Sequence, residues 1–141
     1  MKKILIVLSI ISLNACSQTT KSNSKTINHT KNDTTMDLSK ITNNTVKTAI
    51  EALQNGNKEQ WYSLFADNAE LYDDGNKIDF KSFSESALGH ERFTSIDKVE
   101  NNSLAIYGKF HSDHWGDFKT YFKFTLSNDT ITKLEIGQAN Y

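Results

Sequence analysis

The run Asp73-Asp74-Gly75-Asn76, with Asp79 close behind, gathers side-chain oxygens in one turn. Carboxylates so placed can exchange protons or hold a cation, but the spacing does not match a calcium loop. His111-Ser112-Asp113-His114 brings two imidazoles and a carboxylate together beside Trp115 and Gly116. These are metal-ligand types, yet no third firm ligand or supporting hydrogen-bond shell is legible around them. A polar hairpin tip is the plainer account, and no metal site is expected. Tyr62 carries a hydroxyl beside the apolar pair Trp61 and Phe65, whose own spacing is that of a core stripe. His90 follows the third apolar-periodic stretch, where the end of a helix suits an imidazole. Neither a phosphate-cradling glycine loop nor a nucleophile elbow is present, so no cofactor is expected.

Cys16 is the sole cysteine, which excludes an internal disulfide framework. It ends a characteristic leader. Met1-Lys2-Lys3 precedes the apolar run Ile4 to Leu13, broken only by Ser9 and Ser12. Such a run is a secretory signal, too short to span a bilayer as a stable helix. Its end, Leu13-Asn14-Ala15-Cys16, resembles the bacterial lipobox, in which the cysteine is diacylated and becomes the new N-terminus; Asn14 is a less usual occupant of its position. The resemblance implies loss of residues 1–15 and a membrane partner through acylated Cys16, each buried methylene adding about 0.8 kcal/mol of anchoring. Ser17 is not the aspartate that, by resemblance to sorting in two-membrane bacteria, retains lipoproteins in the inner membrane. The expected location is therefore the cell envelope, at the outer membrane facing the periplasm.

Residues 17–40 are rich in Ser, Thr, Asn and Lys, with only Ile27, Met36 and Leu38 apolar. So little apolar surface cannot offset the entropy of folding, and a flexible tether dispensable for stability is expected there. Within it, Asp33-Thr34-Thr35 resembles a short aspartate–threonine motif that some Bacteroidota O-glycosylate. The folded domain is expected over 41–141. Of the chain's sixteen basic and seventeen acidic residues, six lysines and two aspartates fall in 1–40, leaving the domain with ten basic against fifteen acidic. An acidic domain lacks the positive field a phosphate backbone needs, so nucleic acid is not an expected partner.

The elements that position these residues follow from periodicity. Val46, Ala49, Ile50 and Leu53 predict a helix over Thr45 to Asn55, with Asn44 as cap and Gly56 as stop. Trp61, Leu64 and Phe65 predict a second over Lys58 to Phe65, followed by a short extended piece, Ala69 to Tyr72. A third helix is expected from the cap Asp79 through Phe80, Phe83 and Leu88 to Gly89. The period then becomes two, predicting strands over Arg92–Glu100, Ser103–His111, Asp117–Leu126 and Thr130–Gln138, joined as an antiparallel meander. In the third of these, Phe118, Thr120, Phe122, Phe124 and Leu126 share one face, which the helices must cover. An α+β domain results.

The stretch Ala52-Leu53-Gln54-Asn55-Gly56-Asn57, continuing through Leu64-Phe65-Ala66-Asp67-Asn68-Ala69-Glu70-Leu71, closely resembles the nuclear transport factor 2-like superfamily, which includes SnoaL-like proteins and ketosteroid isomerases. Its mark is a helix ending "AL..G", a second ending "LFADDA", then a short strand. The closing Ile131-Thr132-Lys133-Leu134-Glu135-Ile136 looks like that superfamily's last strand. The resemblance covers about Ile41 to Tyr141 and implies a cone in which three N-terminal helices pack on a curved antiparallel sheet around a pocket. It places Asp73 on the general base of the isomerases, where an apolar pocket could tune a carboxylate for proton transfer. The isomerases' helix-1 tyrosine falls on Ala49, however, and the strand that should supply their second acid turns Phe118, Phe122 and Phe124 inward. Without donors for an enolate oxygen, steroid-type isomerisation is not expected. Tyr62, Asp73, His90 and Phe122 are the candidate ligand contacts. The expected function is a lipid-anchored pocket that binds a small apolar ligand or a protein partner. A small SnoaL-like enzyme of isomerase, cyclase or dehydratase type, using Asp73 as acid or base, is the alternative. A third reading fills the cone with aromatics and makes a homodimer through the sheet.

Overall fold

A computed structural model describes residues 36–141. Cys16, the leader, Asp33-Thr34-Thr35 and most of the tether lie outside the described residues. Helix α1 spans Asn44–Asn55 and buries Val46, Ala49, Ile50 and Leu53. Its cap is Asn43 rather than Asn44, the Asn43 carboxamide accepting from the Val46 N–H at 3.1 Å. Gly56 ends it in the left-handed region, φ 61°. Helix α2 is Lys58–Ser63, shorter than the expected run to Phe65. Phe65 instead opens strand β1, Phe65–Asp73, because the Leu64 carbonyl accepts from the Ile131 N–H at 2.8 Å and fixes the chain beside a distant strand. Strand β2 is Asn76–Ile78, and helix α3 is Phe80–Ala87, capped by the Asp79 carboxylate on the Ser82 N–H.

Strands β3 (Glu91–Glu100), β4 (Ala105–Ser112), β5 (Gly116–Ser127) and β6 (Thr130–Gln138) form the antiparallel meander, with small shifts at their ends. The sheet does not stop there. It has six strands in the order β2-β1-β6-β5-β4-β3, and β1 runs parallel to β6 with Leu71 opposite Leu134 and Asp73 opposite Ile136. The sheet is therefore mixed rather than wholly antiparallel, and the fold is α+β.

Beneath the helices, Trp61 is fully buried, and its indole N–H donates to the Ser84 hydroxyl at 2.9 Å. That hydroxyl in turn donates to the Phe80 carbonyl at 2.7 Å, so the core's one indole leaves no polar group stranded. The packed domain also begins earlier than Ile41. Leu38 is 8% exposed within the core and Met36 packs against it. The Ile41 N–H donates to the Leu38 carbonyl, and the Lys40 ammonium donates to the Ile96 carbonyl at 3.1 Å. The end of the expected tether is thus part of the fold.

Candidate functional site

The inward alternation of β5 and the turn after β1 meet at the open end of the sheet. They enclose a cavity of about 580 Å³ together with α3, the start of β3 and the tip of the β4–β5 hairpin. Phe110, Phe118, Phe122 and Ile136 line its back, and Phe83 closes it from α3. Phe122 is 1% exposed and meets Phe93 and Phe110 at ring-centroid distances of 5.0 and 5.5 Å. Asp73, Asp74 and Glu91 stand on the rim with Trp115, which is 75% exposed.

The turn that carries Asp73 is a two-residue hairpin in which Asp74 and Gly75 both have positive φ, 45° and 82°. An Asp-Gly pair is suited to that twist-matched geometry. Asp74 is committed to the scaffold, since its carboxylate accepts from the Gln138 N–H at 3.0 Å. Gly137 leaves room for it, because a side chain there would strike the Asp74 carboxylate and the Tyr121 hydroxyl. Asp73 is different: its carboxyl takes no hydrogen bond from another described residue.

Partial burial against the cavity pushes the Asp73 carboxyl above the usual carboxylate range, and Asp74 adds to the effect. Burial raises Glu91 as well; a hydrogen bond from the Ser112 hydroxyl at 3.0 Å opposes that shift, while Asp73 and Asp113 reinforce it and His90 weakens it. Among the described residues no Lys, Arg or His lines the cavity. Two carboxyls with raised values bind protons more tightly folded than unfolded. Their stabilising contribution is complete below the ordinary carboxylate range and is lost as pH rises through the raised values. Asp79, Asp97 and Asp113 are lowered and act with the opposite sign, so the difference between variant and parent is the informative quantity. Glu91→Gln, which keeps an acceptor for Ser112, is expected to stabilise the domain at neutral pH by up to about 1 kcal/mol after solvent screening. Asp73→Asn should be neutral or mildly stabilising. Melting temperatures taken across pH should show the Glu91→Gln advantage vanish in acid; a constant or inverted difference would refute the assignment.

Asp73 and Phe122 are thus brought together, whereas Tyr62 and His90 are not. Tyr62 packs edge-on against Phe80, centroids 5.9 Å apart, and its buried hydroxyl has no hydrogen-bond partner among the described residues. Its ring lies at the edge of the aromatic cluster that Phe80 forms with Trp61 and Phe65, and Tyr62 is not among the residues that line the cavity. His90 turns away to the Asp113 carboxylate at 3.1 Å, in a shallower depression beside the hairpin tip. His111 bridges Asp113 and Asp117. Among the described residues no three His, Cys, Asp or Glu side chains converge as a metal site. Glu91 and Trp115 are the rim residues that sequence reasoning passed over. For Glu91 a signal existed: it stands two residues before the inward Phe93, on the same face of β3.

No protein-family model and no curated protein matches the chain. Solved structures do. A nuclear transport factor 2-like protein of unknown function from Cytophaga hutchinsonii aligns with a TM-score of 0.57 at 11% identity, covering 67% of this chain and 87% of that one. A "putative ketosteroid isomerase" from Kribbella flavida aligns with a TM-score of 0.57 at 9% identity, covering 72% and 80%. A "putative polyketide cyclase" from Sinorhizobium meliloti gives 0.55 at 17% identity, covering 65% and 92%.

Proposed function

We propose that this chain, which has the nuclear transport factor 2-like fold of those neighbours, is a small-molecule-binding domain whose ligand lies in the cone. The observation that carries this reading is the open volume of about 580 Å³ between the inward phenylalanines and the carboxyl rim. A purely structural cone would have filled that space with its aromatics. Pockets of this size, apolar with a few convergent polar groups, are the usual form of a small-ligand site. An uncharged naphthylamine fluorophore should enter saturably, one per chain, and quench Trp115 as it brightens. Absence of saturable uptake would reject the reading.

Two of the structural neighbours are described as a cyclase and an isomerase, and Asp73 with Glu91 is the kind of carboxyl pair a small acid–base enzyme uses. Binding is favoured over catalysis because the nearby hydroxyls are spent. Thr120 donates to the Gly137 carbonyl at 2.8 Å, and Ser86 donates to the Phe83 carbonyl at 2.9 Å, so neither is aimed at a developing oxyanion.

The lipobox-like end of the leader supports attachment of this domain to the envelope through acylated Cys16. Metabolic labelling with a fatty-acid analogue should mark the parent protein and not Cys16→Ser. Equal labelling of both would remove the anchor.

A further inference from the structure

Building on the ligand-binding reading, we infer that the ligand of the cavity is an organic cation: an ammonium group held at the rim by Glu91, Asp73 and Trp115, joined to an apolar body that packs on Phe110, Phe118 and Phe122. Three features of the wall select that chemistry. The polar rim is acidic, and among the described residues none that lines the cavity is basic, the nearest imidazoles (His90 and His114) lying in the adjoining depression, so a negatively charged ligand meets repulsion on entry. Of the three rim carboxyls, Asp74 is tied to the Gln138 N–H, Glu91 accepts only from the neutral Ser112 hydroxyl, and Asp73 accepts from no other described residue. Two carboxylates drawn partly out of water, neither in an ion pair among the described residues and Glu91 eased only at a distance by His90, are a standing cost to the fold. A ligand ammonium would offset it.

The aromatic lining points the same way. A cation within about 6 Å of an aromatic face is attracted by the ring quadrupole, most strongly by tryptophan. Trp115 is the one large, mostly exposed aromatic at the mouth, held edge-on to His114 with centroids 4.4 Å apart. On the outer face of the sheet this chain already pairs such groups, with Lys98 over the Tyr107 ring at 4.3 Å and Lys123 over the Tyr121 ring at 4.6 Å. In the cavity the rings and carboxyls are present, and none of the described lining residues supplies a cation. Deeper in, the phenylalanine wall offers nothing to hydroxyl groups, which disfavours a sugar as the buried body.

The test uses the full-length chain carrying Cys16→Ser, so that no acyl chain competes, and three probes of equal length below their aggregation thresholds: octyltrimethylammonium, octanol and octanoate. Binding is read from Trp115 emission and checked by calorimetry. The ammonium should bind at least about tenfold more tightly than octanol, and octanoate more weakly than either. Glu91→Gln should erase most of the ammonium's advantage while leaving octanol within about twofold. Asp73→Asn serves as the second variant should Glu91→Gln perturb the fold. Equal affinity for the ammonium and octanol would overturn the cationic assignment while leaving the ligand-binding reading intact. Saturable binding of none of the three would overturn both.

Discussion

Phe122→Ala is expected to lower the unfolding free energy by about 3–5 kcal/mol, at the upper end for a single core truncation. Phe122 is 1% exposed, faces Ile106 and Ile136 across its two neighbouring strands, and meets the rings of Phe93, Phe110 and Phe124. The cost of such a truncation depends on how far the surroundings collapse into the space left behind. Here collapse is restricted, because the lost ring forms part of the wall of a cavity that is already open. The new void merges with it and stays unfilled. Since a domain of this size has only about 5–15 kcal/mol of stability in all, the variant should sit close to unfolding. Phe118 supplies the control: it lies on the same face of the same strand, nearer the mouth and half-buried. Phe118→Ala should cost about 1–2 kcal/mol, in line with the smaller area removed from water. Urea titrations of both variants would measure the contrast. Equal losses would mean that burial along β5 is not graded toward an open mouth.

The inward face of β5 was legible because alternation is a local signal. Phe118, Thr120, Phe122, Phe124 and Leu126 declare one face without knowledge of any partner strand. The tight turns at Asp74-Gly75 and Asn128-Asp129 were legible for the same reason, since Gly, Asn and Asp tolerate the positive φ those turns adopt. The boundary at Leu64 was not. Phe65 satisfies helical spacing from Trp61, and what converts it to a strand residue is pairing with Ile131, far along the chain. A register shift between Phe65 and Glu70 then breaks the period-two pattern that would have revealed the first half of β1, of which only the later part, Ala69 to Tyr72, was expected as extended. Tyr62 was misplaced for another reason: helical spacing puts it beside the Trp61–Phe65 stripe, but only tertiary packing on Phe80 decides which space its ring fills. Glu91 was overlooked for a different reason: a carboxylate facing inward at the start of a strand runs against the expectation that charge faces water. Function places such exceptions where local rules fail.

Removal of the segment before Ile41 should destabilise the domain measurably, contrary to its tether-like composition. A chain beginning at Ile41 loses Leu38, which is 8% exposed, the packed part of Met36, and the Lys40 bond to the Ile96 carbonyl. Burying one leucine contributes about 1.5–3 kcal/mol, and methionine adds a fraction of that. Ordering the segment offsets part of that gain through lost conformational entropy. A net loss of about 1–2 kcal/mol remains, equivalent to a fall in melting temperature of roughly 5–15 °C for a domain of this length. The parent for comparison is the Cys16→Ser chain. The docking of this segment also sets a ceiling on point mutations within it. Leu38→Ala would ordinarily cost about 2–5 kcal/mol, but a segment that can peel away as a unit cannot lose more than its whole docking free energy. Leu38→Ala in the full chain should therefore match the truncation and not exceed it. A larger loss would show that Leu38 is integral to the core and that the segment does not detach before the domain unfolds. Melting curves of parent and truncation that coincide within about 2 °C would show that the segment contributes no net stability.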